Sequence, residues 1–168
     1  MSENVKRAGR TLVHEGTVLK MYQDHMVFAN GNTEEWDFIH HDGAAAVVPV
    51  LEDGRIIMVR QYRNALERET IELPAGKLDD PKEPGIECAA RELEEETGYR
   101  SESLEWLLTL RTTVEFCDEK IDIEIASNLV PAKQNLDEDE YYRFISTEYK
   151  ECPYYRNGDE YRVVRHQM

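Results

Sequence analysis

An α/β fold with a mixed sheet, preceded by an N-terminal antiparallel β-sheet, is predicted by three features of this sequence. Residues 11–40 alternate apolar and polar around the turn signal Asn30-Gly31-Asn32, the period expected of antiparallel strands. Residues 84–97, PGIECAARELEEET, carry helical periodicity between Pro84 in the first turn and Gly98 as C-terminal cap. Further β-rich runs lie on both sides of that helix, so strands surround one strong helical segment.

The chain has 168 residues, enough for one compact domain with a small appendage. Residues 1–42 read as a β-rich segment and 43–168 as the main domain. The first ten residues are polar and predict a loose terminus. Residues 43–63, GAAAVVPVLEDGRIIMVRQYR, give two β-rich runs around Glu52-Asp53-Gly54, which read as a hairpin with Tyr62 in the core. Thr70 to Leu73 is a short strand stopped by Pro74. On the 84–97 helix, Ile86, Ala89, Ala90 and Leu93 share the core stripe. Glu92, Glu95 and Glu96 gather along one edge, and Glu87, Arg91 and Glu94 along the other, where Glu87 and Arg91 can pair at i, i+4. Leu104–Thr113 and Lys120–Val130 read as strands, the second alternating Ile121, Ile123 and Ile125 with Asp122 and Glu124. His40 and His41 read as surface residues near the end of the β-rich segment, and the tail from Tyr141 is ambiguous.

Composition removes several function classes. The longest apolar stretch, Ala44 to Leu51, contains Pro49 and falls far short of the ~20 residues a membrane span needs. No apolar run follows the basic residues near the N-terminus, so no signal peptide is read. Cys88, Cys117 and Cys152 are too scattered for a disulfide framework or a zinc site, and a cytoplasmic location is the expectation. With 20 Lys+Arg against 35 Asp+Glu the formal charge is −15, which disfavours nucleic-acid binding. A phosphate-bearing substrate remains compatible, provided metal ions neutralise both partners.

Glu92, Glu95 and Glu96 make such a metal site the sharper reading of the helix. Like charges crowded a turn apart repel and raise each other's pKa, and a divalent cation among them relieves that cost. All-oxygen ligands with no His or Cys nearby suit a hard ion, Mg²⁺ or Mn²⁺. An ordinary acidic surface helix is the competing explanation on residue pattern alone.

The spacing from Gly76 through Glu83 to Arg91-Glu92-Leu93-Glu94-Glu95-Glu96-Thr97-Gly98-Tyr99 resembles the Nudix box, G-x5-E-x7-R-E-U-x-E-E-x-G-U. It departs by one extra residue in the loop between Gly76 and Glu83. Ile71-Glu72-Leu73-Pro74-Ala75-Gly76, Arg60-Gln61-Tyr62-Arg63, the N-terminal strands and Asp137-Glu138-Asp139-Glu140 resemble the ADP-ribose pyrophosphatase branch of that superfamily. The resemblance spans roughly residues 11–145. It implies a Nudix α/β/α sandwich and a homodimer that exchanges its N-terminal sheets. It also implies metal ligands at Glu92, Glu96, Glu140 and the Ala75 carbonyl, with Glu95 assisting, and a structural ion pair between Glu83 and Arg91. Glu138 falls on the general-base position, although Glu115 and Glu119 remain alternatives. Arg63 matches a phosphate contact, Glu119 a substrate-side carboxylate, and Trp36-Asp37 the place where the branch stacks the base. Packing in the core or a dimer interface is the competing role for Trp36.

The implied activity is Mg²⁺-dependent hydrolysis of the diphosphate bond of ADP-ribose or a related ADP-sugar, giving AMP and a sugar phosphate. The alternatives are a Nudix hydrolase of another nucleotide, such as GDP-mannose or a nucleoside triphosphate, and a non-catalytic nucleotide-sugar-binding regulator. Two departures bear on substrate choice and architecture. The branch's Ser-Pro-Gly segment is replaced by Thr113-Val114-Glu115, and the usual C-terminal helix would be interrupted by Pro153.

Overall fold

The structure, a computed structural model, describes residues 4–135 together with the backbone of residues 143–147, 156–157 and 160–161. Three strands come first: β1 (Val5–Glu15), β2 (Lys20–Phe28) and β3 (Thr33–His40). They pair antiparallel in chain order, Arg10 opposite Asp24 and Asp24 opposite Trp36. The predicted turn joins β2 to β3, with Gly31 at φ 86° and the Asn30 side chain accepting the Asn32 N–H at 3.0 Å. Within these strands only Asp24 and Met26 are buried, so polar contacts carry much of the sheet. The Arg10 guanidinium forks onto Asp24 at 2.5 and 2.6 Å and lies 3.7 Å from the Phe38 ring centroid.

The second sheet runs β7-β4-β9-β8, from β4 (Ala44–Pro49), β7 (Ala75–Lys77), β8 (Tyr99–Arg111) and β9 (Lys120–Pro131). β4 and β9 are parallel and the other neighbours antiparallel, which is the predicted mixed sheet. Helix α1 (Gly85–Thr97) packs on one face, where Ala45, Val47, Cys88, Ala89, Leu93 and Ala126 form a closed core. Successive strand residues point to opposite faces. Val48 therefore packs the other way and, together with Ile71 and Leu73, lies against Ile56 and Met58 of a third sheet. That sheet is ordered β10-β5-β6, from β5 (Ile56–Arg63), β6 (Arg68–Glu72) and β10 (Arg143–Thr147). The two-residue strands β11 (Arg156–Asn157) and β12 (Glu160–Tyr161) pair with each other.

Four local expectations change. Residues 5–10, expected to belong to a loose terminus, pair with β2 as the first half of β1. β4 and β5 do not form a hairpin: after a tight turn and one bridge, Val50 to Ile56, they part into different sheets. β4 is apolar on both faces and is flanked by β7 and β9, which leaves β5 no edge to pair with. Tyr62 is 59% exposed and is not a core residue. The helix is also rotated from its predicted setting. Cys88, Ala89, Glu92, Leu93, Glu96 and Thr97 are buried, while Ile86 and Ala90 are exposed. Two carboxylates therefore occupy positions that face the protein.

Candidate active site

Glu96 is 1% exposed and Glu92 is 7% exposed, one turn apart on α1. Burying carboxylates is costly unless polar groups receive them, and β7 supplies those groups. The Ala75 N–H donates to Glu96 Oε2 at 3.1 Å. At Gly76 a Cβ would lie 1.9 Å from Glu92 Oε1, so the missing side chain is what admits Glu92. β4 holds this strand in place through the Ala45–Gly76 and Ala46–Ala75 pairs, and the buried Pro74 carbonyl accepts the Val47 N–H at 2.9 Å. Ala75, Glu92 and Glu96 are thus brought together from two elements.

Arg91 closes the outer side of the cluster. Its Nη1 donates to Glu92 at 2.6 Å and Glu95 at 3.1 Å, and its Nη2 donates to the Lys77 carbonyl at 3.1 Å. Its Nε lies 3.4 Å from Asp79 and 3.6 Å from Glu83, so it pairs with these groups and not with Glu87. Glu83 also accepts the Asp79 N–H at 2.8 Å, which ties the loop ahead of α1 to the helix. Burial works against the charge on Arg91, but Glu92 and Glu95 outweigh it and raise its pKa. Burial pushes the neighbouring Cys88 thiol up to about 12, which marks it as packing and not a nucleophile.

The donor set fits a hard divalent cation. Glu92 and Glu96 are buried carboxylates and the Ala75 backbone lies against Glu96; the Cys88 sulfur beside Gly76 is held as a thiol by burial. Among the described residues no three His, Cys, Asp or Glu side chains converge as a complete metal cluster. Glu138 and Glu140, assigned as base and further ligand from the sequence, lie outside the described residues.

The other expected residues are dispersed. Arg63, at the end of β5, forks onto Glu72 at 2.9 Å (Nε) and 2.5 Å (Nη2). The Arg63 hydrogen bond holds the Glu72 carboxyl below its usual range, and the Thr70 hydroxyl adds to that. Trp36 is 44% exposed on β3 and donates its Nε1–H to Glu34 at 3.1 Å, so it is not a core side chain. Asp37 is exposed on the opposite face of the same strand. Glu119 accepts the Thr112 hydroxyl at 2.5 Å and lies 3.8 Å from His41 Nδ1.

The residue pattern did not disclose three other polar features. Asp118 binds both His40 and His41. A cleft of about 300 Å³ opens at the N-terminal end of α1, with Glu83, Gly85, Arg111 and Asp122 in its wall. Glu124 is 2% exposed, and its Oε2 has no hydrogen-bond partner among the described residues. Burial and then the Asp122 charge raise its pKa. Its signal in the sequence was alternation, which gave the period but not which face is buried.

A family model described as Domain of unknown function (DUF6472) matches residues 127–168. The chain is 41% identical to a methanol dehydrogenase activator of Bacillus methanolicus, over 79% of this chain and 72% of that protein. It is 38% identical to an ADP-ribose pyrophosphatase of Bacillus subtilis (strain 168), over 81% of this chain and 74% of that one. A crystal structure of an ADP compounds hydrolase superposes with a TM-score of 0.77 at 24% identity, covering 86% of this chain and 78% of the other. That last likeness is one of fold.

Proposed function

Because the chain belongs to the Nudix hydrolases, in their ADP-ribose pyrophosphatase branch, we propose that it hydrolyses the diphosphate bond of ADP-ribose and related ADP-sugars, releasing AMP and a sugar phosphate. The observation that carries the reading is the burial of Glu92 and Glu96 against the side-chain-free Gly76 and the backbone of Ala75. A helix that merely faced solvent would not turn two carboxylates inward and shape a strand to receive them.

Glu92, Glu96 and the Ala75 carbonyl would hold Mg²⁺ or Mn²⁺, with Glu140 completing the set. When bound, such ions lower the pKa of a coordinated water and neutralise charge on the diphosphate. Arg91 keeps the Glu92 and Glu95 carboxylates oriented, and it is itself anchored by the Lys77 carbonyl. Arg63 offers phosphate a guanidinium whose direction Glu72 fixes. Glu138 accepts the proton of the attacking water, worth ~10²–10⁴ in rate. Trp36 serves the base and Glu119 the sugar side, while Asp37, on the opposite face of β3, does not share the Trp36 contact.

A homodimer that exchanges N-terminal sheets completes the proposal. It is supported by the eleven-residue β1, whose outer edge has no strand partner among the described residues, and by Leu12 and Val13 exposed along it. No helix among the described residues is long and apolar enough to cross a membrane, and a cytoplasmic setting remains part of the proposal.

The test is hydrolysis of ADP-ribose, ADP-glucose, GDP-mannose and dGTP with and without Mg²⁺, comparing the native protein with Glu96→Gln. Mg²⁺-dependent release of AMP from the ADP-sugars is expected. Glu96→Gln should lower kcat by at least ~10³ with the melting temperature little changed, since a metal ligand in the reacting centre is removed. A Glu96→Gln protein retaining near-native kcat with Mg²⁺ would refute the site.

A further inference from the structure

The N-terminal sheet and the 112–119 loop belong to different parts of the fold, yet one carboxylate fastens them together. Among the described residues, the single ladder contact between β1–β3 and the rest of the chain is a parallel bridge from Ile39 to Cys117. There the Ile39 N–H donates to the Phe116 carbonyl at 2.7 Å, and the Asp118 N–H donates to the Ile39 carbonyl at 3.2 Å. The Asp118 side chain extends the joint. Its Oδ2 lies 2.7 Å from His40 Nδ1, and its Oδ1 accepts the His41 N–H at 2.9 Å. Its own carbonyl accepts from Arg111 Nη1 at 2.8 Å. One residue therefore binds the end of β3, the start of the β3–β4 link and the end of β8.

The bonds within the loop are short-range. Phe116 and Cys117 both donate backbone N–H groups to the Thr113 carbonyl, and Thr112 closes onto Glu119. These shape the loop but do not place it relative to β3. Placement comes from the Ile39 bridge and Asp118, with Glu119 a longer 3.8 Å from His41 Nδ1. Burial alone would raise the Asp118 carboxyl, but the His40 ring and the His41 N–H hold it below the usual carboxylate range.

We propose that Asp118 is a positioning residue for substrate binding, holding the loop that bears Glu119 in fixed relation to the strand that bears Trp36 and Asp37. The proposal rests on the ADP-sugar hydrolase reading above. Asp118 touches neither the box carboxylates nor, on that reading, the substrate, so its loss weakens binding of ground state and transition state alike. KM rises while kcat holds. Where the resemblance expects Ser-Pro-Gly this loop has Thr113-Val114-Glu115, so no proline ring fixes its backbone and an external fastening is more consequential.

Steady-state hydrolysis of ADP-ribose with Mg²⁺ tests it on the full chain. Asp118→Ala should raise KM about tenfold, equivalent to about 1.4 kcal/mol, with kcat within about twofold of native. Asp118→Asn keeps an acceptor for the His41 N–H and should raise KM about threefold. It also serves as the working variant if the alanine protein does not fold. His40→Ala should raise KM, and the Asp118→Ala/His40→Ala double variant should be no worse than Asp118→Ala, as for two partners in one interaction. Unchanged KM in Asp118→Asn and His40→Ala, fully additive losses, or losses confined to kcat would overturn the proposal. An inactive native protein, or an active Glu96→Gln, would instead bring down the parent reading.

Discussion

Gly76→Ala perturbs the site without touching a charged residue. The new methyl carbon would fall 1.9 Å from Glu92 Oε1, 2.2 Å from its Cδ and 2.6 Å from its Oε2. Real Cβ contacts essentially never close below 3.0 Å, so going from 1.9 to 3.0 Å requires Oε1 to retreat by at least 1.1 Å. The strand has little freedom to move instead, because β7 is paired to β4 at Ala44, Ala45 and Ala46. Glu92 cannot swing freely either, since Arg91 Nη1 holds its Oε1 at 2.6 Å. A misplacement of about 1 Å at a reacting centre costs on the order of 10²-fold in rate. The accompanying strain is about 1–3 kcal/mol, a few degrees in melting temperature for a chain of this size. The assay is kcat/KM for ADP-ribose across a Mg²⁺ titration, with a thermal scan of the same samples. Gly76→Ala should lose roughly 10²-fold while still folded at the assay temperature, and adding Glu92→Gln should cost little more than Glu92→Gln alone. Activity within threefold of native, or losses that multiply in the double variant, would refute the account of Gly76 as the space Glu92 needs.

Period and punctuation were legible in the sequence, and burial on charged faces was not. Strands within 11–40, a β-rich run after 43 and a strand at 120–130, the turn at Gly31 and the helix ending at Gly98 followed from alternation, from β-rich composition and from residues that tolerate positive φ. The box spacing located Ala75, Glu92 and Glu96 on facing elements. What failed was the assumption that charge faces water. Core-stripe counting placed Ile86 and Ala90 inside and Glu92 and Glu96 at an edge. The helix instead turns its carboxylates inward, because β7 presents an N–H and a bare glycine that outweigh the gain from burying Ile86. On β9 the alternation of isoleucines with Asp122 and Glu124 left the faces unassigned, and it is Asp122, Glu124 and Ala126 that share the face beneath α1. Both faces of a central strand are covered, so alternation there cannot say which face meets the helix. The Asp118 joint was invisible for another reason. It links residues 78 positions apart through a histidine with no sequence partner, and only the fold brings the two together.

Two further outcomes test the polar scaffold. Arg10→Ala leaves the Asp24 carboxylate nearly buried without its main partner, and should cost roughly 2–4 kcal/mol of stability in β1–β3. The Arg10 hydrogen bond holds Asp24 below its ordinary 3.8, so this stability is present above that value and is lost as pH falls through the folded-state value. Hydrogen exchange in β1–β3 should weaken in acid for the native protein and already at neutral pH for Arg10→Ala. Equal protection in the two proteins at pH 7 would show that the pair contributes nothing. Glu124→Gln carries the opposite sign. Burial first, and then Asp122, raise Glu124 above its ordinary 4.5, so the folded protein binds this proton more tightly than the unfolded chain. Native stability from this group is therefore greatest below 4.5 and declines as pH rises through the folded-state value. Glutamine keeps the shape and removes the ionisation, so the variant should melt roughly 2–4 °C higher at pH 7, with the gain fading below pH 4.5 and kcat unchanged. If Glu124 were instead ionised and balanced by a partner, Glu124→Gln would melt lower at pH 7. That result would mean the carboxylate under α1 is an anchor of the fold and not a cost to it.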